Sequence, residues 1–244
     1  MLLVLLLLSG GQVGRAQSNQ SAKSYFERGH ARYESQDLKG AVDDYTLAIT
    51  FDPGWALAYH SRGVAKMDQH DPDGALADFD RAIELDPRFA RAYNDRGDAR
   101  QLKGDLEAAI ADFDKAIEID PRYADAFYNR GNARLAQHDS DRAIADYNMA
   151  IKLNSRLSMA YNNRGAARLM KGDLDLALAD YDRAISIDPR CARSYRNRAV
   201  LELVQGKPAD AERDFDQCRR FDGGPQVCSE DVVNRLKQDL QSKK

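Results

Sequence analysis

The sequence predicts an all-α fold, a solenoid of six helix-turn-helix units closed by a short terminal helix. Three observations carry this. Gly29, Gly63, Gly97, Gly131 and Gly165 recur every 34 residues, and Ala199 completes the series. Each is followed by a second small residue (Ala41, Ala75, Ala109, Ala143, Ala177, Ala211) and, four residues on, by an aromatic (Tyr45, Phe79, Phe113, Tyr147, Tyr181, Phe215). Pro53, Pro87, Pro121 and Pro189 punctuate the unit ends.

The first element stands apart from the rest. Leu2 to Leu8 is uninterrupted apolar sequence, with Gly14-Arg15-Ala16 a few residues behind it. An apolar core of this length before a small-x-small site reads as a secretory signal peptide, residues 1–16, cut after Ala16. It falls short of the roughly 20 apolar residues that span a bilayer. No Lys or Arg precedes the apolar run, so the positive end is minimal or the true start lies upstream. The expected location is the periplasm or outside the cell. If the leader does not function, the location is the cytoplasm.

The repeat fills 22–223, in units near 22–55, 56–89, 90–123, 124–157, 158–191 and 192–225. Small and aromatic residues at three- and four-residue steps share one face of a helix, so each half-unit has a stripe to bury. Short polar segments such as Lys103-Gly104-Asp105 supply the turn between halves. Proline after aspartate stops the second helix, because the residue before proline is pushed out of the helical region. A single hairpin cannot bury its own face; stacking several does.

A second pattern runs through the units. Arg28, Arg62, Arg96, Arg130, Arg164 and Arg198 are each followed sixteen residues later by Asp44, Asp78, Asp112, Asp146, Asp180 or Asp214. The simplest reading is an ion pair between the two helices of one unit, repeated with the fold, which guanidinium geometry suits. After the sixth unit, Phe221-Asp222-Gly223-Gly224 breaks the pattern. Ser229 is placed to cap a helix over 229–241, with Val233, Leu236 and Leu240 as its apolar stripe. Its expected role is to cover the end of the array.

Composition narrows the function. Lys plus Arg is 36 against 39 for Asp plus Glu, a net charge of -3. Such balance argues against a nucleic-acid binder, which needs a basic face to displace counterions. His30, His60, His70 and His138 have no metal-ligand spacing with carboxylates or cysteines, and no nucleophile elbow or phosphate loop is present. The chain is therefore expected to be no enzyme, with no cofactor, no metal and no small-molecule substrate. Cys191, Cys218 and Cys228 are odd in number, so an exported chain keeps one unpaired or paired between molecules. Cys218 with Cys228 closes a short loop, and Cys191 with Cys218 is the alternative. In a reducing compartment all three are small apolar residues.

The repeat resembles a tetratricopeptide repeat protein of the bacterial exported type. Counting each unit from three residues before its leading aromatic (Tyr25, Tyr59, Tyr93, Phe127, Tyr161, Tyr195), it matches the family's large residue at position 4. It also matches the small residues at 8, 20 and 27, the aromatic at 24 and the proline at 32. Ser155 replaces one proline, and positions 7 and 11 are mostly basic where the family is commonly apolar and aromatic. The resemblance implies a right-handed superhelix whose first helices line a concave groove through positions 2, 5, 6, 9, 12 and 13. Carried onto this chain, that groove begins with Lys23, Phe26, His30, Tyr33, Leu57, His60, Val64 and Met67. Its expected peptide-binding residues are Asn94, Tyr128, Asn129, Asn132, Asn162, Asn163, Arg193, Arg196 and Asn197.

Asparagine serves both the donors and the acceptors of a bare backbone, so such a groove suits an extended peptide or a partner helix. The resemblance thus implies a non-catalytic interaction scaffold. One alternative is a co-chaperone-like adaptor with a partial carboxylate clamp from Tyr128, Asn132, Asn163, Arg193 and Asn197, in which Arg196 stands in for a missing cation. The other is a structural homo-oligomer whose groove receives a sister chain.

Overall fold

A computed structural model describes residues 20–221 together with Cys228. The expected leader, 1–16, and the expected terminal helix, 229–241, lie outside the described residues. Within them the chain is helical throughout, and no strand is formed. First helices are α1 (residues 20–34), α3 (Ala56–Asp68), α5 (Ala90–Leu102), α7 (Ala124–Ala136), α9 (Ser158–Lys171) and α11 (Ala192–Val204). Second helices are α2 (Leu38–Phe51), α4 (Pro72–Leu85), α6 (Leu106–Ile119), α8 (Ser140–Leu153), α10 (Leu174–Ile187) and α12 (Pro208–Phe221). The chain divides into two compact units, Met1–Pro121 and Arg122–Lys244, and each holds three helix pairs among the described residues.

Local chemistry sets the helix ends. Asp37, Asp71, Asp105 and Asp139 cap the second helices, their carboxylates accepting from the backbone N–H of Gly40, Gly74, Ala108 and Arg142. The residue closing the preceding turn is left-handed: Gly104, Gly172 and Gly206 at φ 83°, 85° and 75°, but also Gln36, His70 and His138 at 64°, 62° and 62°. At the far end Asp52, Asp86, Asp120 and Asp188 turn extended, with ψ between 86° and 93°, as the following proline requires. Asn154 does the same at ψ 92° with Ser155 behind it, so the stop survives loss of the proline.

Packing inside each pair is ring against small residue. A Cβ on Gly97 would lie 2.6 Å from the Phe113 ring, which is itself fully buried, so the helices close to a distance only glycine allows. Ala75, Phe79 and Ala99 share one core cluster, as do Ala143, Tyr147 and Ala167. Each buried ring contributes roughly 2–3 kcal/mol of transfer free energy.

The arginine of the second, third, fifth and sixth pairs ties three things together. Arg62 donates Nε and Nη2 to the Asp78 carboxylate at 3.0 and 2.6 Å, and Nη1 to Thr46 of the preceding pair at 3.1 Å. Its guanidinium also lies 5.5 Å over the Tyr59 ring. Arg164 repeats this with Asp180, Asn148 and the Tyr161 ring, and Arg198 with Asp214, Asp182 and the Tyr195 ring. A second cation four residues on reaches the same carboxylate in five pairs: Arg32, Lys66, Arg100, Arg134 and Arg168. The sixth pair breaks the rule, with Glu202 at that position. The repeated arginine is framework, as its spacing from aspartate leads one to expect.

Candidate functional site

With arginine and aspartate committed to the framework, the outward face of the first helices carries what varies from pair to pair. In the first compact unit this face is aromatic and acidic. His60, nearly buried, sits 4.8 Å from the Phe89 ring and places Nε2 2.7 Å from Asp95 Oδ2. Asn94 holds the other oxygen of Asp95 through its amide at 3.0 Å. Tyr33 donates to Asp68 at 2.5 Å, and this bond to a carboxylate, with some burial, pushes the phenol up to about 12.

Two hollows open on this unit. One, of about 150 Å³, is lined by His30, Tyr33, Tyr45, His60, Ser61 and Val64. The other, of about 410 Å³, is lined by Ala22, Lys23, Phe26, Glu27, Asp52 and Trp55. Phe26 and Trp55 pack at 4.5 Å to form the aromatic wall of the larger. Lys23, Glu27 and Asp52 are the charged groups of its otherwise apolar lining.

In the second unit the face is built of amides. Asn132 accepts from the Tyr147 hydroxyl at 2.9 Å and from Asn163 Nδ2 at 2.8 Å, and Asn163 also reaches the Tyr128 hydroxyl at 3.2 Å. Asn162 Nδ2 donates to Asn163 Oδ1 at 2.9 Å, and Asn197 Nδ2 to Asn162 Oδ1 at 3.1 Å. The chain of bonds runs across α7, α9 and α11 and fixes each amide's orientation. Burial of Tyr147 pushes its phenol well up, so it remains a neutral donor within that chain.

The expected peptide-binding residues thus fall into two kinds. Asn94 and Asn162, 4% and 1% exposed, lie inside the packing and orient their neighbours. Tyr128, Asn129, Asn132, Asn163, Arg196 and Asn197 are half-buried at the face, and Arg193 is exposed. Around them Met170 and Val204 supply exposed apolar margin. Sequence reasoning did not single out the aromatic hollows of the first unit. Their signal was present in Phe26, Trp55 and His60, aromatic residues at groove or unit-end positions.

His70 and His138 lie in left-handed turns, and among the described residues no group of three or more metal-ligating side chains converges. No described helix is long and apolar enough to cross a membrane. Cys191 Sγ lies 3.9 Å from Met159 Sδ and accepts a hydrogen bond from the Ser194 hydroxyl.

Comparison with known proteins gives a consistent picture. A tetratricopeptide repeat model matches residues 56–89, 124–157 and 158–191, a TPR repeat model matches 97–138, and a further tetratricopeptide repeat model matches 79–111. No curated protein sequence matches significantly. Among solved structures, MamA protein is 26% identical over 71% of this chain and 95% of its own, with a TM-score of 0.61. PilF of Pseudomonas aeruginosa is 19% identical, covering 93% of this chain and 100% of its own at a TM-score of 0.77. YrrB, described as a TPR protein with an unusual peptide-binding site, is 23% identical over 81% of this chain and 97% of its own, at 0.61. At those identities the last two likenesses speak to fold alone.

Proposed function

Since this chain belongs to the tetratricopeptide repeat family, we propose that it is a non-catalytic protein-interaction scaffold that holds an extended peptide or a partner helix on the outward face of its first helices. The carrying observation is the hydrogen-bonded amide chain from Tyr128 to Asn197. Amides already fixed in place meet a peptide backbone without paying further side-chain entropy. The aromatic hollows at Phe26, Trp55 and His60 add room for side chains. YrrB, with its described peptide-binding site, shares the fold and illustrates that the architecture accommodates such a ligand. The leader-like start motivates export, so the partner is sought in the cell envelope or outside the cell.

The test is crosslinking purification of residues 17–244 from the envelope of the host, beside an Arg193→Glu, Met170→Asp variant. Both side chains are exposed, so the variant keeps its helical circular dichroism. A partner recovered with the wild type and lost with the variant supports the reading. A partner retained by both overturns the face assignment. Mass that grows with concentration would point instead to a homo-oligomer.

A further inference from the structure

A guanidinium in this protein is held repeatedly by the same two partners, an aromatic ring under its face and a carboxylate at its edge. Arg62 lies 5.5 Å over Tyr59 and bonds Asp78, and Arg96 lies 5.3 Å over Tyr93 and bonds Asp112. The larger hollow of the first unit presents those two partners around open space of about 410 Å³, and no arginine lines it. Phe26 and Trp55 form the ring wall, 4.5 Å apart with their planes 36° from parallel, and Asp52 and Glu27 line the same space. One pair on, the corresponding positions hold His60 and Phe89, 4.8 Å apart, and there the imidazole already faces a carboxylate, Asp95.

The charge at the larger hollow is negative. Lys23 stands 3.7 Å from Glu27, and both side chains are about two-thirds exposed, so that pair is screened by solvent and nearly neutral as a unit. Asp52 is placed differently. Its Oδ1 accepts from the Gly54 N–H at 3.1 Å, which fixes the carboxylate, and it makes no ion pair among the described residues. It also directly follows α2, whose last turn carries no basic residue, so the negative pole of that helix adds to the same field. The faces of the Phe26 and Trp55 rings carry the same sign through their quadrupoles.

We propose that the hollow at Phe26, Trp55 and Asp52 receives an arginine side chain of the bound peptide. The proposal rests on the peptide-binding reading above and deepens it by naming the chemistry of the partner. Guanidinium fits better than ammonium, because it is planar and weakly hydrated, stacks on a ring and bonds a carboxylate with its edge. An apolar side chain would desolvate Asp52 without pairing it, and an acidic one would meet like charge.

Trp55 is the chain's one tryptophan, so its fluorescence reports on this hollow directly. The full chain is titrated with capped peptides identical except for arginine, its neutral isostere citrulline, or glutamate at the centre. The arginine peptide should bind roughly tenfold more tightly than the citrulline one, the scale of a cation over a ring beside a partly exposed carboxylate. The glutamate peptide should leave the emission unchanged. Asp52→Asn keeps an acceptor for the Gly54 N–H and should erase most of the arginine preference, whereas Lys23→Gln, at an exposed site, should widen it by releasing Glu27. Equal affinity for arginine and citrulline, a preference for glutamate, or an undiminished arginine preference in Asp52→Asn would overturn the proposal. So would emission that shifts with protein concentration and ignores all three peptides, which would give the hollow to a second copy of the chain. A partner captured by the wild type and lost with Arg193→Glu, Met170→Asp, while Trp55 ignores arginine, removes this site and leaves the scaffold reading standing. A Trp55 response to arginine with a partner retained by that variant keeps this site and removes only the wider face assignment.

Discussion

Arg96 and Asp112 meet at two points, Nε to Oδ2 at 2.9 Å and Nη2 to Oδ1 at 2.6 Å, across the two helices of the third pair. Asp112 is 3% exposed, and Arg100 reaches the same carboxylate at 2.8 Å. Removing the acid leaves two guanidinium groups facing a dry interface, so Asp112→Ala should cost roughly 3–5 kcal/mol, the scale for breaking a buried pair from one side. Denaturant unfolding followed by circular dichroism measures it. Arg28→Ala should cost less, because that side chain is 53% exposed and Arg32 still faces Asp44 at 3.3 Å. Equal losses at both ends would show that burial does not grade the ladder.

The left-handed turn position offers a gain of stability. His138 adopts φ 62° where other units place Gly104 or Gly172. A side chain in that region costs about 1–2 kcal/mol, of which glycine's greater unfolded freedom takes back a part. His138→Gly should therefore raise stability by about 0.5–1 kcal/mol, visible as a higher thermal midpoint. A lower midpoint would mean that the imidazole makes a stabilising contact of its own.

Glu202 makes the last pair sensitive to pH. Burial, then the charge of Asp214, raises its carboxyl from about 4.5 to about 7, with Asp210 adding to the rise and Arg198 and Lys207 opposing it. The folded state thus holds this proton more tightly than the unfolded one. The stabilising contribution is complete below about pH 4.5 and is lost as pH climbs to 7. After allowance for solvent screening the loss is about 1 kcal/mol. Urea midpoints from pH 4.5 to 7.5 should fall for wild type relative to Glu202→Gln. Glu202→Arg, which restores the arrangement of Arg168 with Asp180, should be more stable than wild type at pH 7. Parallel profiles for wild type and Glu202→Gln would rule the titration out.

Tyr147 and Tyr181 occupy the same place in adjacent pairs with opposite hydrogen-bond fates. Tyr147 donates to Asn132, whereas Tyr181 has Ala166 at the corresponding position and its buried hydroxyl has no partner. Tyr147→Phe should lose about 0.5–1.5 kcal/mol, while Tyr181→Phe should be neutral or gain up to about 1 kcal/mol by removing an unsatisfied group. Ala166→Asn should also be stabilising if its amide reaches the hydroxyl. Equal losses for the two phenylalanine variants, read from denaturation midpoints, would indicate that Tyr181 has a hidden partner such as an ordered water.

In a repeat, residues 34 apart in sequence are neighbours in space, so periodicity alone makes the helix pairs, their turns and the arginine–aspartate pairing legible. Arg62 and Asp78 face each other because both face the partner helix of one hairpin, and helical spacing determines that. The outward face was legible only as a row of positions. Whether an asparagine there meets solvent or a neighbour depends on the depth of its helix in the packing. That depth buries Asn162 and leaves Arg193 exposed. Likewise the sequence left Cys218 with two candidate partners, and the fold sets Cys228 beside it while Cys191 turns to Met159. The environment of Glu202 emerges only in three dimensions, since a carboxyl's proton affinity is a sum over neighbours from two helices rather than a property of its own position in the repeat.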